Sequence, residues 1–461
     1  MKIRWFIRYG GLACLLLLLY PGPAAAYLDP SAGNALVYIA VTAVGVVGYV
    51  LKGIFYRAVE IWTGRRRSDE RGRSCQDIVI FSEGKNYWTT FEPIVSALIS
   101  RGQPFSYFTS DIEDPGLTIR SPLMRGRYLG EGSAAYARLN GIRCRVMLAT
   151  TPNIGTAGFP LPRPAGVEFL VHVFHAPAGV AYYKKGSLDA YDGVCMVGEY
   201  SRPAIRHLER LRGLPEKELV CTGLPYWDVL LKRLRNRDEM HGRGEDGMET
   251  VAKQAKRRTI LLAPSWGQKG FLSCYDSEFI GTLARADFDI ILRPHPQSWR
   301  TEPALLSRLK RYLSAFGNVT WDEDSDPSRS LLASDILISD TSAIRMDYAM
   351  IYGKPVISLE TEIGERDSFE IADLPPEYMD SLADRICVPV GRDRIDDIVE
   401  VVEEALREGK MQGMEDIRRR YISCFGCAGK QVAEYLVEKS VQLSVPRRDE
   451  PEGKEEAHDV V

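Results

Sequence analysis

The chain has 461 residues, 45% hydrophobic and 26% charged, which is enough for two ordinary domains and an attachment segment. A net charge of -3, without an interleaved patch of basic and aromatic residues, argues against nucleic acid as a partner. Nine scattered cysteines in so long a chain argue against a disulfide framework and for a reducing compartment.

At the amino terminus Lys2, Arg4 and Arg8 precede the apolar run 12–19 and the small residues 21–26, so residues 1–26 read as a signal-like segment. A second apolar stretch, 35–51, is closed by Lys52, Arg57 and Arg65 to Arg67. It reads as a transmembrane helix over 35–56 followed by a basic juxtamembrane linker, 57–76. Under the positive-inside rule everything after Arg67 is expected on the cytoplasmic face of the inner membrane. The competing reading is an exported domain with 35–51 in its core, against which Gly45 and Gly48 weaken that stretch as a helix in water.

Strand and helix then alternate, the signal for parallel sheets with crossover helices. Strands are predicted at 77–81, 105–109, 145–149, 168–174, 193–197 and 218–221, and a helix over 88–101 ended by Gly102. Ser201 is the expected cap of a helix carrying His207. These form a first Rossmann-like domain, 77–235, taken as the acceptor side. A polar stretch with Gly242, Gly244 and Gly247 reads as a linker, 236–257.

The pattern restarts in a second Rossmann-like domain, 258–440, taken as the nucleotide-donor side. Its predicted strands are 259–263, 289–292, 318–321, 336–339 and 354–359, and its helices 276–286, 302–315, 328–333, 341–352 and 394–408. Cys424 and Cys427 fit a loop opening a helix better than a zinc or redox site, and 441–461 reads as a solvated tail. The fold class is therefore α/β, two Rossmann-like halves facing a cleft. No GxGxxG follows the first strand and no GxxxxGK[ST] occurs, which argues against a dinucleotide oxidoreductase and a P-loop NTPase.

Candidate chemistry lies where apolar strands stop at polar residues. His175 closes one strand, with His172 pointing to the opposite face, and is the candidate general base; a loop histidine bonded to a carbonyl is the bland alternative. Arg293 and His295, held between Pro294 and Pro296, form a candidate pyrophosphate-contacting pair. Ser339, Asp340, Thr341 and Ser342 open the helix at 341–352, where free N–H groups suit a diphosphate, or Asp340 or Thr341 simply caps that helix. Ser265 and Trp266 form a further cleft loop, with Trp266 placed to stack on a base or cover the hinge. Asp347 is expected to pair with a basic neighbour.

His175, the segment Lys184-Lys185-Gly186 with Asp189 and Asp192, the 263–266 loop, Arg293 to Pro296, Ser339 to Ser342 with Asp347, and 353–357 together resemble the CDP-glycerol glycerophosphotransferase family over roughly 77–437. That family comprises teichoic-acid-type polymerases and primases of GT-B architecture. The resemblance implies CDP-glycerol as donor, two essential histidines matching His175 and His295, and a hydroxyl-rich helix start matching Ser339 to Ser342. The chain departs from it with Ala176-Pro177 where glycine is usual after the first histidine, and Ser342-Ala343 where paired serines are common.

The resulting expectation is a membrane-anchored transferase moving glycerol phosphate, or a related alditol phosphate, from a CDP-linked donor to a hydroxyl of a lipid-linked cell-surface polymer, with no metal or cofactor. The alternatives are a GT-B glycosyltransferase using a nucleotide sugar for capsule or lipopolysaccharide, and a non-catalytic nucleotide-binding membrane scaffold.

Overall fold

The structure, a computed structural model, describes residues 76–242 and 257–444, less 178, 276, 325–326, 362–365, 376–377, 379–381 and 410–412. The signal-like segment, the span expected at 35–56, the basic stretch after it, most of the expected linker and the tail beyond 444 lie outside the described residues. Among the described residues no helix is long and apolar enough to cross a membrane.

Two parallel sheets carry the α/β fold. The first contains β1 (Gln76–Ser82), β2 (Phe105–Thr109), β3 (Met124–Tyr128), β4 (Cys144–Ala149), β5 (Val167–Val173), β6 (Gly193–Met196) and β7 (Glu218–Cys221), in the order β3-β2-β1-β4-β5-β6-β7. The second contains β8 (Thr259–Leu262), β9 (Asp289–Leu292), β10 (Val319–Trp321), β11 (Ile336–Ser339), β12 (Val356–Leu359) and β13 (Val388–Val390), in the order β10-β9-β8-β11-β12-β13. Ile78 to Phe81 in β1 and Ile336 to Ile338 in β11 are fully buried, as unbroken apolar runs must be when helices cover both faces. In each sheet the winding reverses once, between β1 and β4 and between β8 and β11. Crevices that bind ligands open outside the carboxyl ends of strands at such reversals.

Several elements differ from expectation. The helix predicted over 341–352 begins at Ile344, runs as α-helix to Asp347 and continues as a π-helix, Tyr348–Tyr352. The helix predicted over 394–408 opens with a 3-10 stretch, Arg392–Asp397, and is α-helical over Ile398–Glu408. Ser201 precedes the helix Arg202–Arg212 without a capping bond, and its hydroxyl is buried. The helix Pro225–Gly242 occupies the start of the stretch read as linker.

The helix Ala428–Ser444, assigned up to residue 440 to the second half by sequence order, packs instead on the first half. Val432, Ala433 and Leu436 share a core with Phe91, Ile94 and Leu98 of the helix Trp88–Ser100. Burying each large aliphatic side chain contributes about 1.5–3 kcal/mol. Gly429 permits the approach, since a Cβ there would lie 2.5 Å from that of Pro93. Asp228 caps the same helix by accepting from the N–H groups of Ala428 at 3.1 Å and Gly429 at 2.8 Å.

The halves are also joined through the segment 183–189. Lys184 forms an antiparallel bridge with Phe369, the Lys185 N–H donates to Ser368 O at 3.0 Å, and the Glu370 N–H donates to Tyr183 O at 2.8 Å. Arg212 donates to Glu370 and to Asp189, each at 2.9 Å, while Lys185 pairs with Asp373 at 2.6 Å.

Candidate active site

On the first sheet, three adjacent strands deliver polar groups to the carboxyl edge: Glu83 after β1, Thr150 and Thr151 after β4, and His175 after β5. His175 is half-buried, meets the ring of Tyr87 edge-on at 5.1 Å between centroids, and has a buried Nδ1 without a hydrogen-bond partner among the described residues. Burial lowers its imidazole to about 4, so it is a neutral base at pH 7. His172 is fully buried, with Nε2 3.1 Å from the Tyr183 hydroxyl, and belongs to the core.

Sequence reading passed over Glu83, Tyr87 and Tyr136. Glu83 Oε1 accepts from the Tyr136 hydroxyl at 3.4 Å, and Tyr136 comes from the helix Gly132–Asn140. Burial pushes the Glu83 carboxyl up, opposed by the hydroxyls of Thr151 and Tyr136. The available signal was the one that identified His175, an apolar strand stopping at a polar residue, here Glu83-Gly84.

On the second sheet the corresponding edge is formed after β9, β8 and β11, again three neighbours. The His295 ring lies 6.3 Å from that of Trp266, itself 50% exposed. The Gln297 N–H donates to His295 Nδ1 at 3.1 Å, which fixes the hydrogen of the neutral ring on Nε2 and leaves Nε2–H to donate. Burial lowers this imidazole, offset in part by the carboxylates of Asp340 and Glu302. Thr341 and Ser342 are half-buried beside this edge.

Three expected phosphate contacts have other partners. Arg293, 8% exposed, pairs with Asp322 at 2.6 Å, so the anion that stabilises its burial is an internal carboxylate. Asp340, fully buried, accepts from Ser265 N at 2.8 Å, Ser265 Oγ at 2.7 Å and Phe271 N at 2.8 Å, and so fixes the loop after β8 and does not cap the helix that begins at Ile344. Ser339 Oγ donates to Ala263 O. Asp347 accepts from Trp227 Nε1 at 2.7 Å and pairs with no basic neighbour among the described residues, while burial pushes its carboxyl well up.

Loops at the carboxyl edge of the first sheet meet the second half. A small crevice lies between Val180, Tyr200 and Ser201 on one side and Met346, Ile371 and Tyr378 on the other. Among the described residues no group of three or more His, Cys, Asp or Glu has the arrangement to hold a metal ion.

Residues 185–369 match the family model described as CDP-Glycerol:Poly(glycerophosphate) glycerophosphotransferase. Among solved structures the chain is similar to the wall teichoic acid polymerase TagF, with 15% identity and a TM-score of 0.51 over 84% of this chain and 97% of that one. It is also similar to a UDP-GlcNAc 2-epimerase from Neisseria meningitidis, with 15% identity and a TM-score of 0.50 over 78% of this chain and 99% of that one. No curated protein matches the chain by sequence. At such identities the structures speak to fold alone.

Proposed function

We propose, from the match of residues 185–369 to the glycerophosphotransferase family, a membrane-anchored CDP-glycerol glycerophosphotransferase-like enzyme that moves glycerol phosphate, or a related alditol phosphate, from the CDP-linked donor to a hydroxyl of a lipid-linked polymer. The observation that carries this reading is that each sheet ends three neighbouring strands in polar groups including one neutral imidazole, His175 or His295. The acceptor oxygen attacks the β-phosphorus, a new O–P bond forms, and the bond to the α-phosphate oxygen breaks, releasing CMP. His175 takes the proton of the attacking hydroxyl. The Nε2–H of His295, with Thr341 and Ser342, donates to the phosphate oxygens as charge builds on departing CMP, and Trp266 is placed to stack on the base. Arg293, Ser265, Ser339 and Asp340 hold these loops in position.

Anchoring and orientation rest on residues 1–67 of the sequence. Alkaline phosphatase fused after Arg73 should be inactive, and strong periplasmic activity overturns that orientation. For the chemistry, CMP release from CDP-glycerol is measured with membranes present. Replacing His175 by alanine should lower kcat by about 10²- to 10⁴-fold with donor protection in thermal shift retained. Protection by UDP-sugars alone favours a sugar transferase, and donor binding without CMP release favours a scaffold.

A further inference from the structure

We propose that Glu83, with Tyr87 and Tyr136, forms the subsite that binds the acceptor through uncharged polyol or sugar hydroxyls beside His175, and that Glu83 orients the attacking hydroxyl. This rests on the transferase reading above and names the acceptor chemistry of the same site.

Glu83 follows β1 and Thr151 follows β4, the two strands between which the first sheet reverses, so Glu83 stands at the position where a ligand crevice is expected. Its main chain is held: the Ser110 hydroxyl donates to Glu83 O at 2.9 Å. Gly84 follows at φ +149°, where a Cβ would lie 2.8 Å from Asp111 Cβ. Tyr87 closes the 3-10 turn Lys85–Tyr87 and sets one ring against His175, while its phenol feels the charge of Glu83. Tyr136 brings its hydroxyl to Glu83 from the helix Gly132–Asn140, its ring 6.2 Å from that of Phe159. The side chains of Glu83, Tyr87 and Tyr136 are all half-buried and so remain accessible.

Around Glu83 stand phenols and a hydroxyl: Tyr136 from the neighbouring helix donates to it, Tyr87 from its own turn and Tyr191 from the segment before β6 lie within range of its charge, and Thr151 follows the neighbouring strand. Among the described residues no lysine or arginine pairs with it. A carboxylate so placed repels phosphate oxygens and accepts hydrogen bonds from hydroxyl groups. Phosphate recognition therefore belongs to the His295 edge and hydroxyl recognition to the Glu83 edge. Thr150, 1% exposed with an Oγ1 that has no partner among the described residues, adds a further polar group at the same edge.

The test is steady-state transfer from CDP-glycerol to a polyol-phosphate acceptor on membranes, as a function of pH. Glu83→Gln keeps the shape and removes the charge. It should lower kcat/KM for acceptor by about ten- to a hundredfold, with the KM for CDP-glycerol unchanged. Glu83 must be ionised to act, so parental activity should fall on the acid side through a carboxyl titrating above its ordinary range. In Glu83→Gln that limb should vanish, leaving the fall at about 4 set by His175. Tyr136→Phe removes a bond that favours the ionised carboxylate and should move the limb upward, which decides the matter if Glu83→Gln does not fold. An active parent whose acceptor kcat/KM and acid limb are unchanged in both variants overturns the inference alone. A parent that transfers nothing from CDP-glycerol overturns the functional reading and this inference together.

Discussion

At the scale of single residues, burial decides protonation. Burial lowers His175 to about 4 and His172 to about 3, so both rings fold neutral, whereas in the unfolded chain they titrate near 6.5. The unfolded state then binds more protons below 6.5. This contribution to stability is whole above pH 6.5 and is lost as pH falls from 6.5 toward 4 for His175 and toward 3 for His172. Thermal melts should show Tm dropping across that window, and His172→Gln should flatten the drop; an unchanged slope would remove the account. Asp340 makes a second case, because three donors converge on it. Asp340→Ala leaves two backbone N–H groups unsatisfied, and a loss of about 1–3 kcal/mol in denaturant unfolding is expected.

At the scale of elements, the apolar strands that end at His175, His295 and Ser339 were legible because a buried parallel strand is a continuous apolar run. β3 was not, because Met124–Tyr128 is a largely exposed edge strand of polar residues, nor was β13, three residues with Pro389 in the middle. The pairing of Arg293 with Asp322 was not legible because that carboxylate comes from the end of the neighbouring strand 29 positions on, a contact no local pattern reveals. The same limit hid the function of 183–189, whose charges read as a motif and serve as a joint between the halves. Glu370 is 1% exposed, so Glu370→Ala leaves Arg212 partly uncompensated and should cost about 3–5 kcal/mol in chemical denaturation. Arg419→Ala, which breaks an exposed pair with Asp416, should cost under about 1 kcal/mol.

At the scale of the whole molecule, one hydrophobic core includes Met147 and Met196 of the first sheet together with Leu261 and Leu337 of the second. Calorimetry should therefore show one dominant unfolding transition, and two well-separated ones would contradict the shared core. Gly429→Ala strikes the packing of the final helix and is expected to cost about 1–3 kcal/mol through overpacking against Pro93. That final helix has a consequence for biosynthesis. Phe91, Ile94 and Leu98 are made early, but the surface that shields them, at Val432 and Leu436, leaves the ribosome more than three hundred residues later. During translation the leading half carries an uncovered oily flank, so maturation should depend on chaperone protection until the chain is released.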